Sequence, residues 1–510
     1  MLSKVTGYAL NGLEGFKVDV EVDVHNGLPV FDIVGLPDAA VKESRERVRS
    51  AIKNSGRNFP VTRITVNLAP ADTKKEGAYL DLAIAVGIVR TGSYGFPADI
   101  TNYVLLGELS LDGSLRGIRG ILPLLISAAD SGYTEFIIPK ENEKEASYIE
   151  KVNVYAAKNL NEVIDHLKGI NPLPVVEKRK YRQEGESFTY PVDLSLVKGQ
   201  AVAKRALEIA VSGGHNIIFI GPPGSGKTML AKCIPSIMPD MDFEEALETT
   251  KIHSVAGRLN ADEGIIKMRP FMTPHHTATN VSLIGGSQSV KPGLISLAHN
   301  GVLFLDEMPE YPRNTLEALR QPLEDGVITV SRAKANVSFP ANFMLCGSMN
   351  PCPCGNYGSK KHVCKCSQAQ ILKYKSKISG PLLDRIDIQV EVDSVEYSEL
   401  VSEKAEESSA TVKARVNRTR AIQRERFRKE PNVNTNSDMT EKQIKKYCGL
   451  TSECEELLRT AFDNMFLSAR ARSRIIKVAR TIADMDLSEN IRPSHILEAI
   501  SYRSLDKNNI

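Results

Sequence analysis

The sequence predicts an α/β protein whose middle part forms an open parallel sheet with helices on both faces. Between residues 191 and 395, short apolar stretches alternate with helical patterns, and glycine-rich turns separate them. Strands that alternate with helices in this way pair in parallel. Residues 1–170 mix strand-like and helix-like segments, which indicates an α+β domain. Residues 396–510 have helical patterns throughout and predict a helical lid.

The composition indicates a globular protein of several domains. The chain has 510 residues, more than one hydrophobic core usually holds. Its formal net charge is only +3, so any contact with nucleic acid must come from local basic clusters. No signal-peptide core follows the N-terminus, and no apolar run approaches the roughly 20 residues that span a bilayer. We therefore expect a cytoplasmic protein without membrane contact.

Local patterns refine this division. The polar, proline-containing stretch 171–190 predicts a linker between the first domain and the sheet domain. A helix is predicted over residues 38–55, with Arg45, Arg47 and Arg49 on its solvent side. Another helical run is predicted over residues 441–463 of the lid.

A phosphate-binding loop follows a predicted buried strand at residues 216–220. The next eight residues are Gly221, Pro222, Pro223, Gly224, Ser225, Gly226, Lys227 and Thr228. They form G-x-x-x-x-G-K-T, and a helical pattern begins directly after them. The glycines let backbone N–H groups face phosphates, and the helix N-terminus adds a favourable dipole. We expect Lys227 to reach the β- and γ-phosphates of ATP and Thr228 to hold Mg²⁺.

Two further predicted strands end in polar residues. The strand at 301–305 runs into Asp306 and Glu307, and the strand at 342–347 leads to Asn350. In open α/β sheets ligands bind at this carboxyl edge. We expect Asp306 to hold Mg²⁺ through water and Glu307 to polarise the attacking water. Asn350 can contact the γ-phosphate or position that water. Without the phosphate-binding loop, surface acids after a core strand would be the better interpretation.

Two arginines are candidates for catalysis, by comparison with AAA+ ATPases. Arg385 is a candidate arginine finger for the ATP of a neighbouring subunit, and such an arginine is worth roughly 10³–10⁵ in rate. A structural salt bridge from Arg385 to Asp384 or Asp387 is an equal alternative. Arg470 in the lid is the candidate sensor-2 residue. Its rivals nearby are Arg472 and Arg474.

Four of the eight cysteines lie within fifteen residues: Cys352, Cys354, Cys364 and Cys366. Four thiolates on a short loop suit a tetrahedral Zn²⁺ with Zn–S bonds near ~2.3 Å. The C-x-C pairs are tighter than the common C-x₂-C, so reduced, unliganded cysteines are the alternative. Because four ligands leave no open position, we expect a structural zinc site in the loop 350–367.

Longer stretches point to one family. They include IVGLPD at 33–38, RPFMTPHHTATNVSLIGG at 269–286, PGLISLAHNGVLFLDE at 292–307, LRQPLEDGVITVSR at 319–332 and NPCPCG at 350–355. With these motifs the chain resembles the ComM/YifB family of magnesium-chelatase-like AAA+ ATPases. The resemblance implies an AAA+ P-loop core of the helix-2-insert branch. It also implies a hairpin within 326–339, with Arg332 and Lys334 near its tip, of the kind that grips DNA in ring helicases.

The same resemblance implies a partner and an assembly. The best-described family members are hexameric helicases that promote branch migration of DNA. A homo-hexamer that binds branched or single-stranded DNA is therefore expected. The basic helix within 413–429 supports DNA binding. However, a solvated lid face with i,i+4 ion pairs explains the same pattern.

The N-terminal part resembles the Lon-protease-like domain, a ribosomal S5 domain 2-like fold. Residues 107–109 with Gly113, and residues 138–142, carry that resemblance. The positions of the Lon serine and lysine align with Tyr79 and Leu122, which cannot replace a Ser–Lys dyad. We therefore expect a non-proteolytic module for assembly or DNA binding.

Two functions fit these features. The first is an ATP-driven DNA motor for branch migration. The second is a chelatase-like ATPase that remodels a protein partner. The sequence contains no D-x-S-x-S metal-adhesion motif. Tyr79 and Leu122 make an ATP-dependent protease the least favoured function.

Overall fold

The computed structural model describes all residues except 93–95, 97–99, 182–189, 261, 287–289, 333–334, 360–361, 395–400, 402–404, 432, 466, 504 and 506–510. It has the predicted mixed α/β architecture, with a parallel sheet in the middle of the chain and a helical C-terminal part. The strands are β1 (Leu2–Asn11), β2 (Glu14–His25), β3 (Val30–Val34), β4 (Arg63–Ala69), β5 (Tyr103–Leu105), β6 (Glu108–Leu109), β7 (Leu115–Arg116), β8 (Glu135–Pro139), β9 (Asn153–Ala157), β10 (Ile217–Ile220), β11 (Phe271–Met272), β12 (Val302–Leu305), β13 (Val327–Arg332), β14 (Ala335–Pro340), β15 (Met344–Met349) and β16 (Ile388–Glu391).

The α-helices alternate with these strands and then form the C-terminal part. They are α1 (Ala39–Asn54), α2 (Asp81–Gly92), α3 (Ile121–Asp130), α4 (Glu143–Ala146), α5 (Leu160–Leu167), α6 (Ala201–Gly213), α7 (Lys227–Ile237), α8 (Phe243–Ala256), α9 (Asn280–Ile284), α10 (Leu294–Leu297), α11 (Arg313–Glu317), α12 (Arg320–Asp325), α13 (Gln368–Lys375), α14 (Gly380–Leu383), α15 (Ser409–Phe427), α16 (Glu441–Tyr447), α17 (Ser452–Met465), α18 (Ala469–Met485) and α19 (Pro493–Ser501). In the part of the chain that the structure describes, no helix is both long enough and apolar enough to cross a membrane.

The N-terminal part contains a seven-stranded mixed sheet in the order β3-β4-β2-β1-β5-β8-β9. Val18, Val20 and Val22 alternate along β2 and are fully buried, as expected for a strand with one face on the core. Helix α2 is apolar on nearly all sides and is buried. Helix α1 begins where Asp38 accepts a hydrogen bond from the Val41 N–H at 2.8 Å, which caps the helix.

The prediction that Arg45, Arg47 and Arg49 all face solvent is wrong for Arg47. Its Nε donates a hydrogen bond to Asp81 Oδ2 at 2.7 Å, and Asp81 is completely buried. Burial raises the pKa of the Asp81 carboxyl. A buried carboxylate requires a nearby opposite charge, so α1 turns Arg47 toward α2.

The central sheet has five parallel strands in the order β11-β12-β15-β10-β16. Both faces of β10 are covered. Ile217 and Phe219 pack with α6, α7 and the C-terminal helices, and Ile218 and Ile220 pack on the other side. A strand that is buried on both faces requires a continuous apolar sequence, which IIFI provides. Because β12, β15 and β10 are neighbours, their carboxyl ends lie at one edge.

The helical C-terminal part differs from the prediction at residues 441–463. This stretch forms two helices, α16 and α17, rather than one run. Gly449 lies between them and lowers the helix propensity there. Thr451 Oγ1 accepts a hydrogen bond from the Cys454 N–H at 3.3 Å, which starts α17.

Part of the predicted linker packs on the N-terminal sheet. Val175 forms a β-bridge with Tyr155, and the Arg179 N–H donates to the Ser147 carbonyl at 3.0 Å. Residues 182–189 of this stretch lie outside the described residues.

Candidate functional site

The phosphate-binding loop joins the end of β10 to the start of α7. Gly224 has φ +77° and Gly226 has φ +90°, which favour glycine at both positions. A Cβ atom at either residue would meet no other described group within 4 Å, so the loop has open space beside both glycines. At Gly221 a Cβ atom would collide with the Val392 carbonyl oxygen, so only glycine fits there. Backbone conformation therefore requires glycine at 224 and 226, and the approach of Val392 requires it at 221.

The Lys227 ammonium lies inside the loop. It donates hydrogen bonds to the carbonyl oxygens of Gly221 at 2.7 Å and Pro222 at 2.8 Å. Asn350 Oδ1 lies 3.4 Å from the same nitrogen. Burial lowers the pKa of Lys227, although the charges of Asp306 and Glu307 oppose this effect. The lysine from α7 and the asparagine after β15 therefore meet, as expected if both contact phosphate.

Asp306 is positioned by hydroxyl groups from two neighbouring elements. Thr228 Oγ1 donates to Asp306 Oδ2 at 3.0 Å, and Ser348 Oγ donates to Asp306 Oδ1 at 2.5 Å. Carboxylate and hydroxyl oxygens this close together fit a site for Mg²⁺. Ser348 was not among the predicted site residues. Its position near the end of β15, beside β12, is the feature of the sequence that could have identified it as a site residue.

Glu307 has an unusual backbone conformation. Its φ is +51°, in the left-handed region that few residues other than glycine adopt. Its N–H donates a hydrogen bond to Ser348 Oγ at 3.0 Å, so one serine holds the backbone of Glu307 and the side chain of Asp306. The Glu307 side chain is exposed. It is therefore free to meet water at the edge of the sheet.

The described contacts do not join Arg385 or Arg470 to this cluster. Arg385 is buried, donates to the Pro381 carbonyl at 2.8 Å and pairs with Glu324. The hydrogen bond from Arg385 lowers the pKa of Glu324, and the charge of Arg470 lowers it further, so both arginines lie near this carboxylate. Neither Asp384 nor Asp387, the partners considered from the sequence, pairs with Arg385. Asp387 instead binds Arg474, with Nη1 and Oδ1 2.6 Å apart.

The four clustered cysteines converge. Their sulfur atoms all lie within 4.8 Å of one another. The Sγ of Cys352 is 3.4 Å from that of Cys354 and 3.7 Å from that of Cys364, and Cys354 and Cys364 are 3.7 Å apart. Tetrahedral Zn–S bonds of ~2.3 Å require S–S separations of about 3.8 Å, so these thiols fit zinc. Backbone N–H groups of Lys365 and Asn356 lower the pKa of Cys354 to about 6, whereas the pKa values of Cys364 and Cys366 are raised by burial and by the neighbouring thiols.

Three cations of the basic helix α15 form ion pairs with carboxylates elsewhere in the chain. Arg415 pairs with Glu208 at 2.6 Å, Lys413 with Asp240 at 2.6 Å, and Arg426 with Asp484. These pairs join distant elements and are not the i,i+4 pairs considered from the sequence. They weaken the argument for DNA binding by this helix.

The hairpin implied by the family resemblance is formed by β13 and β14, with Arg332 opposite Ala335. Val330, Val337 and Phe339 of this hairpin are buried in the core. The predicted tip residue Lys334 lies outside the described residues. In the N-terminal part, Leu122 is buried and burial raises the pKa of Tyr79, so these two positions carry no nucleophile–base pair.

Family profiles for magnesium chelatase match three parts of the chain. "Magnesium chelatase, subunit ChlI" matches residues 193–400, "Subunit ChlI of Mg-chelatase" matches residues 20–142, and "Magnesium chelatase, subunit ChlI C-terminal" matches residues 406–503. Together with the parallel sheet and the helical C-terminal part, these matches define a magnesium-chelatase-like AAA+ protein.

Relatives of similar length identify the family within this class to which the chain belongs. The chain is 42% identical to competence protein ComM of Haemophilus influenzae over 507 residues, which cover 99% of this chain and 98% of the relative. It is 42% identical to YifB of Escherichia coli with the same coverage. It is 25% identical to magnesium-chelatase subunit ChlI of Porphyra purpurea over 33% of this chain and 54% of that protein. The chain therefore belongs to the ComM/YifB family of magnesium-chelatase-like AAA+ ATPases. Membership supports a chelatase-like ATPase that uses a nucleotide and Mg²⁺.

Proposed function

We propose that this chain is an ATP-driven motor that acts on branched or single-stranded DNA as a homo-hexamer. The observation that carries the ATPase part is the cluster of Lys227, Thr228, Asp306 and Asn350 at one edge of the central sheet. Such clusters of a cation, a metal-binding carboxylate and a polar side chain serve phosphoryl transfer, which depends mainly on positioning and charge.

The proposed role of each residue follows from its position in the cluster. Lys227 and the loop N–H groups bind the β- and γ-phosphates, and Thr228 and Asp306 hold Mg²⁺. When bound, Mg²⁺ neutralises charge on the phosphate oxygens. Glu307 polarises the attacking water from the exposed edge, and Asn350 orients the γ-phosphate. Ser348 is a positioning residue, because it contacts Asp306 and the Glu307 backbone.

Further features of the proposal follow from the family. The central part is an AAA+ core of the helix-2-insert branch with a structural zinc site at the four cysteines. The N-terminal part is a non-proteolytic Lon-like module, and residues 396–510 are the lid. Arg385 is the arginine finger for the ATP of a neighbouring subunit, and Arg470 is the sensor-2 residue of the lid; both lie near Glu324. The DNA role is supported mainly by the hairpin β13–β14, since Lys413, Arg415 and Arg426 of α15 pair with carboxylates of the same chain.

The experiment that tests this function measures ATP hydrolysis with and without branched, single-stranded and duplex DNA. We expect hydrolysis to rise with branched or single-stranded DNA, and branch migration to require it. The Lys227→Ala variant is the control for contaminating ATPases. Hydrolysis that no DNA changes at low salt, where phosphate contacts are strongest, would contradict the DNA role. It would favour the second candidate, a chelatase-like ATPase that remodels a protein partner, for which the magnesium-chelatase matches are the specific support.

A further inference from the structure

A cavity of about 590 Å³ lies at the edge of the central sheet opposite to Lys227. Gly301 and Met344, at the amino ends of β12 and β15, line one side of it. Helix α15 lines the other side. The ATPase cluster lies beyond the carboxyl ends of the same strands. The cavity is therefore separate from the proposed nucleotide site.

Three arginines line the cavity: Arg420 and Arg424 of α15, and Arg428, which caps its C-terminal end. They are four residues apart, so they share one face of the helix. Arg424 and Arg428 are exposed at the surface. Three guanidinium groups in a row offer bidentate hydrogen bonds that match the oxygens of a phosphate.

Arg420 is the innermost of the three and is incompletely satisfied. Its Nη2 donates to the Val211 carbonyl at 3.0 Å. Its Nε is buried and has no hydrogen-bond partner among the described residues. Burial, together with the nearby charges of Arg269 and Arg424, lowers the pKa of Arg420 to about 10. A buried donor without an acceptor favours a ligand that supplies one.

Carboxylates also line the cavity, but several have partners elsewhere. Glu245 pairs with Arg269 at 2.7 Å, and Glu430 pairs with Lys446 at 2.6 Å. Asp438 accepts hydrogen bonds from backbone N–H groups of its own loop. The other carboxylates of the lining are Asp242, Glu244 and Glu248. Asp242 caps α8, and Glu248 lies 2.9 Å from His299 Nε2. Glu245, Glu248 and Glu430 are thus paired, whereas Asp242, Glu244 and Asp438 have no described cationic partner. Arg428 lies 4.0 Å from Glu425, which is outside the lining. The buried Nε of Arg420 and the guanidinium of Arg424, for which no ion pair is described, are the groups that remain for an anion.

The size of the cavity and two aromatic side chains in its lining also suit a ligand. Its volume lies within the roughly 300–1,000 Å³ that is usual for small-molecule sites. Phe343 and Phe427 line it beside the arginines and can contact an apolar or aromatic part of a ligand. We propose that this cavity binds a phosphate-bearing ligand whose phosphate is held by Arg420, Arg424 and Arg428. Such a ligand contacts both the central sheet and a helix of the C-terminal part.

Titration calorimetry on the full chain tests this site. The protein is first saturated with Mg²⁺ and a non-hydrolysable ATP analogue, which occupies the phosphate-binding loop. Inorganic pyrophosphate is the first probe, and a short single-stranded oligonucleotide is the second. We expect Arg424→Ala to weaken binding of a probe about tenfold or more, because a charged hydrogen bond is lost. Arg428→Ala, at a second exposed position, should weaken it similarly. Arg418→Ala is the matched control, since Arg418 lies on the same helix and outside the cavity lining.

The two probes separate the sources of the phosphate. Pyrophosphate binding that Arg424→Ala weakens and Arg418→Ala leaves unchanged supports a free phosphate compound. An effect of Arg424→Ala on the oligonucleotide alone supports nucleic-acid phosphates. If neither probe binds, or if Arg424→Ala and Arg428→Ala bind both probes like the wild type, the proposal is overturned. Neither variant alters Lys227, so this result is independent of whether the chain hydrolyses ATP.

Discussion

Gly355 in the cysteine loop packs directly on Pro223 in the phosphate-binding loop. A Cβ atom at Gly355 would lie 2.6 Å from Pro223 Cδ, and Gly355 has φ +78°. A side chain is therefore excluded both by the backbone conformation and by the neighbouring loop. The shape of the cysteine loop is in this way linked to the loop that is predicted to hold ATP.

The first prediction uses this contact. Gly355→Ala should weaken ATP binding about tenfold, because the added methyl group must displace Pro223. Gly358→Ala is the matched control. Gly358 also has φ +78° and lies in the same loop, but its Cβ would meet no other described group within 4 Å. Titration with a fluorescent ATP analogue measures both. Equal losses in the two variants would show that backbone strain, and not the contact with Pro223, is responsible.

The second prediction concerns zinc. The purified protein should contain about one Zn²⁺ per chain, and replacement of Cys352 and Cys364 by Ser should remove it. Because the cysteine loop contacts Pro223, the same variant should weaken ATP binding in the manner of Gly355→Ala. Cys454→Ala, outside the cluster, should retain the metal. Metal analysis that finds no zinc in protein purified under reducing conditions without chelators would rule the site out.

The third prediction separates binding from hydrolysis. Lys227→Ala should weaken nucleotide binding, because it removes the cation at the phosphates. Glu307→Gln should keep binding and abolish turnover, because an amide polarises water poorly. Ser348→Ala should lower the turnover rate more than it lowers binding, because it releases Asp306 and the Glu307 backbone. Nucleotide titrations and steady-state ATPase rates distinguish these effects. Wild-type turnover by Glu307→Gln would show that another residue is the base.

The site residues that could be predicted from the sequence lie either in a contiguous motif or at the end of a predicted strand. The loop at Gly221–Thr228 is defined by glycines that the backbone requires, and its flanking strand and helix are contiguous with it. Asp306 and Asn350 were found because each follows a strand of the same parallel sheet, and the carboxyl ends of such strands meet. The structure accordingly brings Lys227 and Asn350 within 3.4 Å.

Contacts between distant segments were not predictable in the same way. Ser348, Glu324 and Asp81 gain their partners only after the chain has folded, and no spacing rule links them to Asp306, Arg385 or Arg47. The basic pattern of α15 was ambiguous for the same reason. Its charges are visible in the sequence, but the distant carboxylates that neutralise several of them are not.

The fourth prediction concerns pH and Glu145. This residue lies in α4 and accepts hydrogen bonds from Ser254 of α8 at 2.5 Å and from the Leu122 N–H at 3.1 Å. Burial raises its pKa from 4.5 to about 7. At a pH between these two pKa values, the Glu145 carboxyl is ionised in the unfolded chain and protonated in the folded chain. Stability therefore falls as pH rises through this window, and the full cost of about 3 kcal/mol is reached above pH 7.

Glu145→Gln should remove this cost while its amide oxygen still accepts both hydrogen bonds. We expect the variant to melt at a higher temperature than the wild type at pH 8 and at a similar temperature near pH 4.5. Glu141→Gln, at an exposed position on the same segment, is the control. Differential scanning calorimetry at several pH values measures the difference. A gain that is equal at pH 4.5 and pH 8 would contradict the role of ionisation.

The fifth prediction joins assembly to catalysis through Arg385. Its side chain is 8% exposed and pairs with Glu324, which is 58% exposed, so the pair lies just beneath the surface. We expect this surface to contact the ATP of a neighbouring subunit. There the Arg385 guanidinium leaves Glu324 and binds a phosphate of that ATP. Arg385→Ala should then bind ATP normally and hydrolyse it roughly 10³-fold more slowly, because charge on the transferred phosphate is no longer stabilised. Arg320→Ala, which breaks a nearby surface pair with Glu317, is the control and should keep most activity.

Mixing two inactive variants tests whether Arg385 acts between subunits. Arg385→Ala chains retain Glu307, and Glu307→Gln chains retain Arg385. In a mixed ring, some interfaces combine an intact Glu307 from one chain with an intact Arg385 from the next. We expect ATPase activity to return in part on mixing, and to depend on the ratio of the two chains. Recovery is possible only if the two residues serve one ATP from different chains, since neither variant holds both. Wild-type hydrolysis by rings of Arg385→Ala alone would contradict the assignment.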